Sequence, residues 1–141
     1  MDALKFAAAA VVLASLGACA SAPPPTLTPM PAPATTYKAA LLAPCDSTAD
    51  AYPWLLKDSW EDGDAYAPIT QFRPDGVMLY GYGGKLYDNG RWSIEGASLH
   101  MDTNNHYADY DGAFDGTAGK GTMKNEANNT GTWTLERDCD Q

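Results

Sequence analysis

Two stretches of this chain alternate in step. Gly90-Arg91-Trp92-Ser93-Ile94-Glu95 returns forty-one residues later as Gly131-Thr132-Trp133-Thr134-Leu135-Glu136. With a side-chain period of two, Trp92 and Ile94 face one way while Arg91, Ser93 and Glu95 face the other, as in a strand with one dry face. Trp133 and Leu135 repeat the arrangement. Runs rich in Tyr, Trp, Thr, Ile and Val predict strands over 54–60, 67–73, 77–87, 89–94, 97–102, 106–111, 119–124 and 131–137. Turn signals punctuate them: Asp62-Gly63, Pro74-Asp75-Gly76, Asp88-Asn89-Gly90, Glu95-Gly96, Asn104-Asn105, Asp111-Gly112, Asp115-Gly116 and Asn128-Asn129. Gly81, Gly83 and Gly84 fall inside the longest run and predict a kink or bulge there. A helical turn over 49–57, holding Pro53, is the alternative to the first strand. The expected fold is all-β: a small eight-stranded antiparallel up-and-down barrel or a strongly coiled meander, since closure removes the exposed edges of an open sheet.

The first third of the chain follows other rules. Lys5 precedes an eleven-residue apolar run, 6–16, which is too short to cross a bilayer, where about 20 residues are needed. Residues 1–18 are therefore expected to be a signal peptide. The following Leu16-Gly17-Ala18-Cys19 resembles the lipobox of bacterial lipoproteins. That resemblance implies acylation of Cys19, a membrane attachment through lipid, and a place in the cell envelope. Ala20 stands where an Asp would favour inner-membrane retention in enterobacterial lipoproteins, so the outer membrane, facing the periplasm, is the expected location.

Residues 19–44 are expected to be a lipidated linker. Six of the ten prolines fall within 21–36, mixed with Ala and Thr, which predicts an extended tether of roughly 50 Å at about 3.1 Å per residue. A short apolar approach, 37–43, leads to the folded domain at 45–141, long enough for one modest core. If Cys19 carries lipid, the remaining Cys45 and Cys139 form one pair in an oxidising compartment, tying the first strand to the last.

The succession Phe72-Arg73-Pro74-Asp75-Gly76, then Gly90-Arg91-Trp92-Ser93-Ile94-Glu95-Gly96 and the terminal 131–137 segment resembles the small lipocalin-like or calycin-like barrels of bacterial lipoproteins. Other barrels, the META-type and avidin-like ones among them, share this meander. The resemblance implies a fold and a habit of binding small apolar molecules or protein partners, and it brings no catalytic residue or cofactor.

Charge narrows the partners. The chain carries a net charge of −9, and removing residues 1–18 takes away one acid, Asp2, and one base, Lys5, leaving that balance unchanged. Nucleic acid and electrostatic adhesion to anionic headgroups are excluded as partners. Among the acids, Asp109, Asp111 and Asp115, with Asp102 and Asn104 nearby, alternate beside glycines as oxygen-ligand calcium loops do. From Asp109 the twelfth position is Lys120, where a helix-loop-helix calcium site wants Glu, and the same residues suit two successive β-turns. His100 and His106 lack a third nitrogen or a free thiol for zinc and follow no nucleophile signature, so no enzyme is expected.

Aromatic residues are the one functional excess, with eight Tyr, four Trp and three Phe. Tyr80, Tyr82, Tyr87, Tyr107 and Tyr110 are the candidate ligand-binding residues, because amphipathic rings offer large contact area with a polar tip. The expected protein is a monomeric, lipid-anchored periplasmic binding or envelope-accessory module, taking a small apolar ligand or an envelope protein. The alternative is a periplasmic proteinase inhibitor of the eight-stranded barrel type, with the 21–36 segment entering the protease cleft.

Overall fold

The computed structural model describes residues 34–45 and 52–139. The expected signal peptide, the acylation site at Cys19 and the tether as far as Pro33 lie outside them. One helix, α1 (Ala34–Leu42), precedes nine strands: β1 (Trp54–Trp60), β2 (Ala65–Tyr66), β3 (Ile69–Phe72), β4 (Val77–Tyr82), β5 (Lys85–Glu95), β6 (Ser98–Thr103), β7 (Ala108–Phe114), β8 (Ala118–Asn125) and β9 (Thr130–Arg137). Each strand pairs antiparallel with the next around the sheet, and β1 pairs with β9 over seven residues, from Trp54 opposite Arg137 to Trp60 opposite Gly131. The sheet is closed. Strands β2 and β3 lie along the same edge of β1 and count as one barrel strand interrupted at Ala67-Pro68, so the barrel has eight staves.

That interruption corrects the continuous strand expected over 67–73. Pro68 has no N–H to give to the ladder, and its carbonyl instead accepts from the Leu56 N–H at 3.0 Å. A larger correction concerns 77–87. The glycines expected to bend one long strand instead reverse the chain: Gly83 and Gly84 both hold positive φ, 57° and 77°. Two such central residues match the right-handed twist of a two-residue hairpin. The Asp88-Asn89-Gly90 turn is absent, because Gly90 lies within β5 opposite Met78. Strand β7 likewise runs straight through Asp111-Gly112, so it spans Ala108–Phe114 rather than 106–111. The count of eight survived because a turn was missed at one place and inserted a few residues later.

The described chain also departs from the expected linker. Residues 34–42 are helical where the end of a tether, to 36, and a short apolar approach, from 37, were expected, and Tyr37 and Leu41 are buried in the core. The reason lies at the barrel end that α1 covers, where Trp54, Phe72, Trp92 and Phe114 gather and would otherwise meet water. Tyr37 meets Phe114 edge to face at 6.4 Å, and the Trp54 indole donates to the Leu41 carbonyl at 3.0 Å. Lys38 Nζ lies 5.8 Å from the centre of the Trp92 ring. Arg137, from the end of β9, donates to the Ala43 and Pro44 carbonyls at 2.9 and 2.7 Å and stacks over Trp54. These bonds satisfy the carbonyls of the two residues that follow the helix.

Cys45 and Cys139 are bridged, with Cα atoms 5.6 Å apart. The pairing is the expected one, but its place differs. The seam between first and last strands is already closed by β1 and β9, and the bridge ties the segment after α1 to the end of β9.

The alternation of Trp133 and Leu135 is inward, as the repeated motif predicts, and both are nearly fully buried. The Trp133 indole lies flat along the inner wall over β7 and β8. A Cβ at Gly112 would stand 2.6 Å from the ring, and the flat pose lets Nε1 donate to the Thr122 and Asp111 carbonyls at 3.0 and 3.3 Å. Small residues in those two strands are therefore the socket of the indole.

Candidate functional site

Strand β1 runs from Trp54, under the helix, to Trp60 at the other end of the barrel, and β7 runs the opposite way from Ala108 to Phe114. The helix-covered end holds the buried cluster of Tyr37, Leu41, Trp54, Phe72 and Phe114. The other end opens into a cavity of about 450 Å³, in the range of small-molecule sites. All five tyrosines expected to bind ligand line it, from β4 (Tyr80, Tyr82), β5 (Tyr87), the β6–β7 turn (Tyr107) and β7 (Tyr110). Tyr66 on β2 and Tyr110 on β7, 44 residues apart in sequence, thus line the same cavity, because alternate chain reversals of an antiparallel meander fall at the same rim.

The rings form ordered pairs. Tyr80 and Tyr87 stack at 5.2 Å between centroids, with 19° between planes. Tyr66 meets Tyr82 edge to face at 5.0 Å, and Trp60 meets Tyr110 at 6.5 Å. Tyr80 and Tyr110 are buried, while Tyr82 and Tyr107 are more than two fifths exposed at the mouth. The site therefore grades from a dry floor to a wet rim.

The floor is polar as well as aromatic. Asp58, buried on β1, accepts from the Tyr66 N–H at 2.9 Å and from the Tyr110 hydroxyl at 3.1 Å. Burial pushes its carboxyl above the usual carboxylate range, and the two hydrogen bonds only partly oppose that. Burial, aided by the Asp58 charge, also pushes the Tyr110 phenol well up. At the rim the Tyr66 hydroxyl donates to Asp64 at 3.1 Å, and that contact holds its phenol protonated, pushed up to about 12. Neither phenol serves as a base near neutral pH. Sequence reasoning missed Asp58, Trp60 and Tyr66. The signal for Asp58 was present: an acid at position 58 stands in phase with Leu56 and Trp54, on the inward face of a strand.

A left-handed turn frames one side of the mouth. Asn104, Asn105 and His106 hold φ of 53°, 56° and 69° in succession, a conformation costly outside glycine, though Asn tolerates it best. Its supports come from the site itself. The Tyr80 hydroxyl donates to Asn89 Oδ1 at 2.8 Å and accepts from the Asn104 N–H at 3.0 Å. The Asn105 N–H reaches the Asn89 carbonyl, and His106 Nδ1 lies 3.0 Å from the buried Asp102 carboxylate. The other oxygen of Asp102 is buried with no hydrogen-bond partner among the described residues. Desolvation raises the Tyr80 phenol, which keeps it a donor to Asn89.

The acids expected to form a calcium loop are placed otherwise. Asp109 and Asp111 alternate on the extended β7, opposite Lys124 and Thr122, where the backbone cannot curl around an ion. Asp111 instead meets His100 across the strands at 2.8 Å. Asp115 sits in the one turn of the group, accepting from the Thr117 and Ala118 N–H groups and the Thr117 hydroxyl, each at 2.8 Å. These bonds to the ionised form lower its carboxyl. The described residues gather no three acids, cysteines or histidines around a common point, and none of their helices is long and apolar enough to cross a membrane.

No protein-family profile matches the chain, and no curated protein matches it. Among solved structures the chain is similar to a redesigned beta barrel, at 16% identity and a TM-score of 0.46, over 71% of this chain and 94% of that one.

Proposed function

We propose that this chain is a lipid-anchored binding module of the bacterial cell envelope, not an enzyme, whose barrel takes a small ligand into its tyrosine-lined end. The convergence of Tyr80, Tyr82, Tyr87, Tyr107 and Tyr110 on one 450 Å³ cavity carries the reading. A barrel of eight strands has room for side chains or for one small ligand, and here the two uses divide the length of the interior. The anchor rests on Leu16-Gly17-Ala18-Cys19 following the apolar run.

Each half of the proposal has its own test. For the ligand site, fluorescence titration with nile red, an uncharged apolar dye, should show saturable binding. Tyr107→Ala and Tyr87→Ala should each weaken it by about tenfold, the worth of one well-placed ring. Binding unchanged in both variants would remove the site. For the anchor, Cys19→Ser should move the chain from the detergent phase to the aqueous phase in a Triton X-114 partition. A variant that partitions with the parent would show that no lipid is carried there.

A further inference from the structure

The wall of the cavity is chemically one-sided. Three carboxylates line it, Asp58 on the floor and Asp62 and Asp64 at the rim, and no Lys, Arg or His does so among the described residues. The donors these acids do receive are neutral. Asp58 takes Tyr66 N–H and the Tyr110 hydroxyl; Asp62 takes the Asp64 N–H at 3.2 Å and the Asn129 amide at 2.8 Å; Asp64 takes the Tyr66 hydroxyl. Their charge is hydrogen-bonded but not neutralised. An ionised carboxylate has about four acceptor positions, so Asp58, with two in use, keeps capacity to meet a positive group, and such a group would favour the ionised form that burial alone disfavours.

Around the acids stand aromatic rings, whose faces carry partial negative charge. A cation within about 6 Å of such a face is attracted to it, most strongly where water is excluded. Rings and carboxylates therefore favour the same sign of ligand. A simple hard metal ion would leave the rings unused, since it prefers six to eight oxygens, whereas an alkylated ammonium group spreads its charge over methyl or methylene surfaces that pack on rings.

Resting on the binding-module reading above, we infer that the ligand of this cavity is a small organic cation, an alkylated ammonium on an apolar body, with the charge set against Asp58 and the aromatic wall. The rim acids attract it to the mouth and the tyrosines strip its hydration. Anionic ligands such as carboxylates and phosphates are rejected by the same charges.

The test compares charge at constant shape. The full-length chain is titrated by calorimetry with choline, with benzyltrimethylammonium, and with 3,3-dimethyl-1-butanol, the uncharged carbon analogue of choline. Choline should bind at least about tenfold more tightly than the alcohol. Asp58→Asn, which keeps the shape of the side chain, should erase most of that preference; Asp64→Asn, at the exposed rim and away from the core, should reduce it by about threefold. Thermal melts confirm that both variants fold. The inference is overturned if the alcohol binds as tightly as choline, if neither substitution changes cation binding, or if calcium chloride at equal concentration displaces choline. Nile red binding without binding of either ammonium ion would overturn the inference and leave the cavity a ligand site. Failure of dye, alcohol and cations alike would overturn both readings.

Discussion

Trp133→Ala should destabilise the barrel by about 3 to 5 kcal/mol, the range for removing a fully buried indole. A domain of this size holds roughly 5 to 15 kcal/mol in all, so the variant should melt at least about 12 °C lower. The loss is expected at the upper part of the range for a structural reason. The indole fills the space left by glycine at position 112, and its N–H serves the Thr122 and Asp111 carbonyls, so truncation opens a cavity and unmakes two hydrogen bonds together. On the Gly112 side the facing wall is bare backbone, with no side chain there to move into the space. Circular dichroism melts of the full chain measure the effect, and a drop below about 1 kcal/mol would show that the ring is not the wedge described here.

Removing the bridge should have an effect of similar size with a different distribution. Cys45 and Cys139 are 94 residues apart, and closing a loop of that length is worth about 4 to 5 kcal/mol on the chain-entropy model, while native bridges of small exported domains typically contribute 2 to 5 kcal/mol. The β1–β9 seam does not depend on it, because seven residue pairs close that seam. What the bridge holds is the helix plug. With Cys45→Ser and Cys139→Ser together, amide exchange should therefore speed first in α1, at Tyr37 and Leu41, while β1 and β9 stay protected at moderate temperature. Equal loss of protection in α1 and in the seam, or a melting temperature indifferent to reductant, would contradict this division of labour.

The two effects meet at Arg137. Its guanidinium caps carbonyls after α1 while its stem lies on Trp54, so the last strand carries the indole that fills the middle of the barrel and the arginine that fastens its lid. The packed half is thus built around β9, and the open half is left to rings and acids.

Much of this was legible along the chain, and the physical reason is local. Alternation with period two marks a half-buried strand wherever it occurs, so the inward Trp133 and Leu135 and the all-β class followed from positions read two at a time; eight strands joined by tight turns suited a barrel or a coiled meander, and the pairing of β1 with β9 decides for the barrel. The tyrosines of the cavity were legible as an excess of amphipathic rings beyond what a core needs. Chain reversals were less so. Asn89-Gly90 and Asp111-Gly112 have turn chemistry but lie in mid-strand, because a glycine also suits any place where neighbouring strands or an indole approach closely, and only the packing decides which use it serves. The same holds for the segment 34–42, which reads along the chain as the end of a tether at 36 and a short apolar approach from 37. It is a helix because an apolar barrel end needs a cover, which is a property of residues 54, 72, 92 and 114 rather than of its own. The inward side of Asp58 is a matter of strand alternation, but the charge of the cavity as a whole belongs to the tertiary structure. Asp58, Asp62 and Asp64 are ordinary acids of an acidic chain until closure of β1 against β9 gathers them at one end of the barrel and surrounds them with rings from strands far away in sequence.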